Sequence, residues 1–168
     1  MLVYHPAFDL HHCIFRMVCL LNRLPPGRHH VERIRILDFY LLFPAQILEM
    51  RFPRSLLKKR KSFKKLINRF ECLSDKYQLF LRLEPFQVEA LGCLASHNLI
   101  SADALGEGYV ERSGIDFPDQ LKKVIVQADA RHSELIELLT GPLMEVPLYG
   151  HDGLRGRTEL FEYHYDAT

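Results

Sequence analysis

Hydrophobic positions along this chain fall at intervals of three and four residues far more often than two. That spacing predicts a mainly α fold with a few short strands. Residues 1–8 read as extended. Asp9 is placed to cap a first helix, where Leu10, Ile14, Met17, Val18, Leu21 and Leu24 share one stripe. Pro25, Pro26 and Gly27 end it. A second helix starts near His30 or Val31 and runs to Phe43. Its period of Val31, Ile34, Leu37 and Leu41 gives way to near saturation, since from residue 36 to 43 only Asp38 and Tyr40 carry polar side-chain atoms. A helix this apolar on nearly every side belongs in the middle of a core. Pro44 stops it and can open a short third helix over 45–50. A long helix followed by two helices joined at a tight break is the outline of a helix-turn-helix, so a winged-helix-like core is expected.

Further along, Ser55 can cap a fourth helix through Phe70, with Leu56, Phe63, Leu66, Ile67 and Phe70 as its stripe. Residues 77–83 partly alternate and lack Gly and Pro, which predicts a strand. Glu84 and Pro85 then open a helix to about His97. Residues 98–101 form a turn, Ser101 caps a one-turn helix ending at Gly106, and 108–112 form a short strand or wing. Asp116, Phe117 and Pro118 introduce a long helix that ends at Thr140, Gly141 and Pro142. Leu121, Val124, Ile125, Ala128, His132, Leu135 and Leu139 give it one inward face. Residues 143–157 read as loop. Residues 158–165 read as a terminal strand, with Phe161, Tyr163 and Tyr165 on one side. The expected organisation is an N-terminal winged-helix-like unit over 1–83 and a C-terminal helical unit over 84–168.

At 168 residues the chain can bury a core without disulfides or metal. Its net charge of +1 hides a split. Residues 51–70 hold nine Lys and Arg and no acid, whereas 101–168 hold thirteen acids and six bases. The fourth helix therefore presents Arg54, Lys58, Lys59, Arg60, Lys61, Lys64, Lys65 and Arg69 as a candidate contact for DNA or for an acidic protein surface. A solvated charged face is the plain alternative. Phe63 and Phe70 sit at helical spacing and so belong to the core rather than to a base-stacking platform. In the short helix 45–50, Gln46 is the one base reader and Glu49 repels phosphate, which argues against sequence-specific readout there.

Candidate chemistry is sparse. Cys13, Cys19, Cys72 and Cys93 include no Cys-x-x-Cys pair and read as free thiols of a reducing, cytoplasmic setting. His11, His12 and Cys13, and the pair His29 and His30, are the densest potential ligand groups. Adjacent helix positions point about 100° apart, so such neighbours do not converge on one ion. Phosphate-loop, nucleophile-elbow and metalloprotease motifs are missing. The reading is a non-enzyme without metal or cofactor. No apolar run approaches the roughly 20 residues of a membrane span. Asp38 is the one odd carboxylate, and burial demands a partner for it, for which Arg35 and Arg82 are the candidates.

Three blocks carry a family likeness. Tyr4-His-Pro-Ala-Phe-Asp9 with His12-Cys-Ile-Phe-Arg16 resembles the opening of the small middle components of bacterial ABC-three-component systems. Arg33-Ile-Arg-Ile-Leu-Asp-Phe-Tyr-Leu-Leu-Phe-Pro44 is similar to that group's second block. Leu83-Glu-Pro-Phe-Gln87 with Leu94-Ala-Ser-His-Asn-Leu-Ile100 is similar to a third. The likeness spans about residues 1–112. It implies partnership with a large SMC-like ATPase and an effector subunit, often a nuclease, as in Lamassu defence against phage and plasmids. It also implies winged-helix units, contact with double-stranded DNA through the complex, and no catalytic residues. A stand-alone winged-helix DNA-binding regulator is the competing expectation.

Overall fold

The helix α2 (Val31–Leu42) is buried at every residue from 33 to 40, and the other elements are laid around it. The structure is a computed structural model that describes residues 6–66 and 75–161. The chain runs α1 (Leu10–Arg23), β1 (His29–His30), α2, α3 (Leu57–Leu66), α4 (Lys76–Ser96), α5 (Ala102–Gly106), β2 (Tyr109–Val110), α6 (Asp119–Thr140) and α7 (Leu154–Thr158), with short 3-10 turns between. Two apolar clusters meet on α2. Ile36, Leu37, Phe39 and Tyr40 join Phe80, Leu83, Leu139 and Leu154 in one, and Ile34 joins Met17, Leu91, Leu94 and Ile125 in the other.

Local chemistry accounts for most boundaries. Asp9 caps α1, its carboxylate accepting from the His12 N–H at 2.9 Å. Ser101 does the same for α5, accepting from Ala104. After α2, Pro44 starts a 3-10 helix, Pro44–Glu49, rather than an α-helix. Ser55 lies inside a second 3-10 turn, Arg54–Leu56, that leads into α3 and caps nothing there. β1 and β2 pair antiparallel, with His29 opposite Val110 and His30 opposite Tyr109. Gly108, at φ +86°, makes the turn into β2 in a conformation that favours glycine.

The strand expected over 77–83 is instead the first half of α4. Asp75 caps it by accepting from the Gln78 N–H at 3.0 Å. Phe80, Leu83, Gln87, Ala90, Leu91 and Leu94 then hold a helical period that passes straight through Pro85. Proline lacks the N–H that would bond the Leu81 carbonyl. Leu81 and Pro85 both lie on the exposed side of α4, so the missing bond does not leave a carbonyl stranded in the core. The alternation of apolar residues in 77–83 was a coincidence of two adjacent helical rows. The helix also crosses positions 83 and 84 without a break.

Two further expectations change. The long helix α6 is kinked at His132, whose φ of −128° and ψ of 22° are not helical. Its inward face is not the single row predicted: Val124 and His132 are exposed, and Ile136 and Leu138 join Leu135 and Leu139 inside. Residues 154–158 form α7 where loop was expected up to 157 and the terminal strand from 158, and Glu159 ends that helix in the left-handed region at φ +56°. Residues 159–161 of that predicted strand form no strand, and 162–165 lie outside the described residues. Of the first segment, expected to be extended, Pro6–Phe8 is a 3-10 helix and residues 1–5 lie outside the described residues, as do residues 67–70 of the basic helix. The segment after α6, read as loop, is pinned in place. Arg33 on α2 donates to the carbonyls of Leu143 at 3.0 Å and Val146 at 2.8 Å. A Cβ on Gly153 would run into the Tyr149 backbone, so only glycine fits there.

Asp38 is fully buried, and its cation is Arg16 on α1. Arg16 Nε donates to Oδ1 at 2.7 Å and Nη2 to Oδ2 at 3.2 Å, a two-pronged pair. Gln87 on α4 donates to Oδ2 at 2.8 Å and to the Arg35 carbonyl at 3.2 Å. Arg35 and Arg82, the cations expected there, make no ion pair with Asp38. Arg35 donates to Gln87 Oε1 at 3.0 Å and to Glu84 at 3.0 Å. Arg82 stacks over the Phe8 ring, 4.6 Å from its centroid. Burial opposes the charge on Arg16, but Asp38 more than offsets it and holds the guanidinium's pKa above its ordinary value.

The thiols beside this network are buried too. Burial first, then the Asp38 charge, pushes Cys13 up to about 12. Burial, then Asp129, pushes Cys19 up to about 11. Burial also raises Tyr40.

Two outcomes are expected. Asp38→Ala strands Arg16 and Gln87 in the core and should cost about 3–5 kcal/mol, measured by urea unfolding. Arg16→Met with Asp38→Leu should cost clearly less than the single change; equal losses would mean that the pair is not the linchpin. The thiol shifts set an alkaline limit. Both thiols have folded pKa values above the ordinary 9.0, so their contribution is complete below about pH 9 and is lost as pH rises through 11 to 12. Cys13→Ala with Cys19→Ala should flatten the fall in melting temperature across that window, and an unchanged slope would refute the assignment.

Candidate partner and nucleic-acid interface

α3 is a short helix that local energetics do not favour. Its ten residues include Lys58, Lys59, Arg60, Lys61, Lys64 and Lys65, with no acid. Cations in a first turn oppose the helix dipole, and like charges three and four apart repel by about 0.2–0.5 kcal/mol a pair. What holds it is packing: Phe63 is 5% exposed and seats α3 on the core, next to the half-buried Leu56.

The cations divide by direction. Flanking Phe63, Lys59 reaches Glu137 of α6 at 3.5 Å, and Arg60 donates to the Leu48 carbonyl at 2.9 Å. These two brace the helix on either side. Lys58, Lys61 and Lys64 are exposed, as is Arg54 just before the helix. Among the described residues these four make no hydrogen bond or ion pair. Lys65 lies in α3, but its side chain is not described, and Arg69 lies outside the described residues. The result is a compact array of uncompensated positive charge on a rigid element, able to neutralise phosphates or carboxylates.

Beside α3 lies a cleft of about 760 Å³. Phe15 of α1, Leu41 and Leu42 of α2, and Phe63 and Leu135 form its apolar part. Residues on both sides of the His132 kink line the opposite wall, including Arg131 and Glu134. The helix-turn-helix position offers less. Gln46 is 6% exposed and cannot reach a base edge, and the six-residue 3-10 helix that carries it is tucked against the core.

No group of three or more His, Cys, Asp or Glu among the described residues could hold a metal ion. No helix among them is long and apolar enough to cross a membrane. Arg16, Gln87 and Arg33 are the structural residues that sequence reasoning passed over. Arg16 had a signal: it is the one Lys or Arg between Asp9 and Arg23, on a helix that must face the buried Asp38. Arg33 had none, because it binds backbone carbonyls far along the chain.

Comparison with known proteins agrees with the family likeness and goes further. A family model described as ABC-three component (ABC-3C) system Middle Component 5 matches residues 2–166. It therefore includes the C-terminal third, which the three blocks did not reach. No curated protein matches, and no solved structure does either. Coverage of nearly the whole chain settles the family: this protein belongs to the Middle Component 5 family of ABC-three component systems.

Proposed function

We propose that the protein is a non-catalytic accessory subunit that works beside an SMC-like ATPase and an effector subunit in cytoplasmic antiphage or antiplasmid defence. Membership of a three-component family implies partner components. The observation that carries the reading further is the free cationic array of Lys58, Lys61 and Lys64 on a helix anchored to the core by Phe63, with Arg54 in the turn that leads into it. In this reading the array touches double-stranded DNA held by the complex, while α2 and its buried network keep the array and the remaining surfaces in fixed relation. The antiparallel pairing of 29–30 with 109–110 supports a winged-helix-like arrangement, with that pair as a reduced wing.

A stand-alone DNA-binding regulator would need a helix that reads bases. The burial of Gln46 and the 3-10 form of residues 44–49 tell against it. The two readings part in a single comparison: a regulator binds one duplex tightly by itself, and an accessory subunit does not distinguish unrelated duplexes.

Co-expression with the products of the adjacent genes should yield a stable assembly containing the ATPase. A monomer that ignores that ATPase would sink the proposal. Within the assembly, Lys58→Glu, Lys61→Glu and Lys64→Glu together should weaken duplex binding at least tenfold. They should also flatten the dependence of log affinity on log salt by about 3, at roughly 0.9 per phosphate contact. Unchanged DNA binding with loss of a subunit would move the array from nucleic acid to protein.

A further inference from the structure

We propose that the small cavity between the end of α1 and the β1–β2 pair binds a compact aliphatic carboxylate through Arg112. The inference goes beyond the subunit reading and does not depend on it.

The guanidinium is held in place but not matched in charge. It lies over the Phe117 ring, 4.0 Å from the centroid, and Nη2 donates to the Ile115 carbonyl at 3.0 Å. Its Nε–H is buried and meets no acceptor among the described residues. None of their carboxylates pairs with it. The acids nearest in sequence are already engaged. Arg28 takes Glu111 at 3.0 Å and Glu107 at 2.6 Å, and Lys122 takes Asp116 at 3.2 Å. A half-buried cation with an unmet donor is stabilised by an acceptor that carries negative charge.

The cavity sets the size of that acceptor. Arg112 lines a space of about 230 Å³. Pockets for drug-sized ligands run to roughly 300–1,000 Å³, so this one takes a smaller group. It is also several times the share of one water, roughly 30 Å³. Gly27 and Gly114 line it at positive φ and bring no side chain. Among the described lining residues there is no acid, so nothing in the wall repels an anion.

The lining also chooses between anions. Leu21, Leu24, Pro25, Pro26 and Val110 make most of the wall apolar. Pro25 and Pro26 have no N–H, so the loop after α1 is not a phosphate cradle. His29 spends its Nε2–H on the Pro25 carbonyl at 2.8 Å. That leaves Arg112 and the amide of Asn22 as the side-chain donors. Two donors suit the two oxygens of a carboxylate, not the four of a phosphate, and a guanidinium binds a carboxylate in a two-pronged way. The apolar wall then packs on a short aliphatic stem. A free small acid has this chemistry, and so does the glutamate side chain of a partner component.

The test titrates the full chain, labelled with ¹⁵N-arginine, with sodium butyrate at constant ionic strength and follows the Arg112 Nε–H signal. A saturating shift is expected, with a dissociation constant of about 1–10 mM for two or three charge-assisted hydrogen bonds. Inorganic phosphate should bind at least fivefold more weakly. Arg112→Lys, which keeps the charge and removes the fork, should weaken butyrate at least fivefold, read from the backbone amides of Val110 and Gly114. Asn22→Phe, an exposed change that fills the cavity, should weaken it at least tenfold with Arg112 in place. A shift that never saturates, an equal response to phosphate or chloride, or unchanged binding in both variants overturns the proposal. Phenylglyoxal modification of Arg112 separates the two sources. Protection in the co-expressed assembly without added acid assigns the carboxylate to a partner component. Protection only on adding butyrate assigns it to a free acid.

Discussion

A carboxylate with no exposure to water must be met by a cation and by hydrogen-bond donors, or the core that holds it cannot form. Asp38 sets that condition here, and three helices answer it. Arg16 comes from α1, Gln87 from α4, and Arg35 reaches in from α2 itself through Gln87. Apolar packing alone tolerates sliding and rotation between helices, since many leucine contacts are nearly equivalent. A two-pronged ion pair is not tolerant in that way. The rotation of α1 that brings Arg16 to Asp38 also turns Cys13, Met17 and Leu20 inward. The position along α4 that brings Gln87 there also sets Phe80 against Phe39, 5.8 Å between ring centres. One polar contact therefore fixes the register of a mostly greasy assembly.

The helices were largely visible in the sequence because their ends carry local chemistry. Asp9 and Ser101 are capping residues followed by apolar periods, and Pro25 and Gly141 are stops. The errors fall where local and tertiary signals disagree. Glu84 and Pro85 look like the start of a helix, yet Asp75 had already started it, and the proline falls on the exposed side, where it does not break the helix. His132 lies on the helical row of Leu121 and Leu135, and no residue type there announces a kink. Ser55 has the right chemistry for a cap but sits within a tighter turn.

The candidate interface was legible in a different measure. A run of cations without acids is plain in the sequence, and its placement on a helix followed from Phe63. Which cations are free was not legible, because Lys59 and Arg60 are engaged by Glu137 and by a backbone carbonyl at Leu48. The neighbouring cleft was invisible for the same reason: its walls come from four helices. The family likeness over 1–112 pointed correctly, and coverage of residues 2–166 shows that the C-terminal third belongs to the same unit of descent.

That third is held in an unusual manner. Arg33 grips the carbonyls of Leu143 and Val146, and Arg51 grips those of His151 and Gly156. Main-chain oxygens are present whatever side chain a codon specifies. Relatives can therefore exchange most residues in this stretch without loosening it, whereas adding or removing a single residue between 141 and 146 would put the wrong carbonyl under the guanidinium. Divergence here should accumulate as substitutions at constant length, so that identity fades while the spacing of residues 141–156 persists.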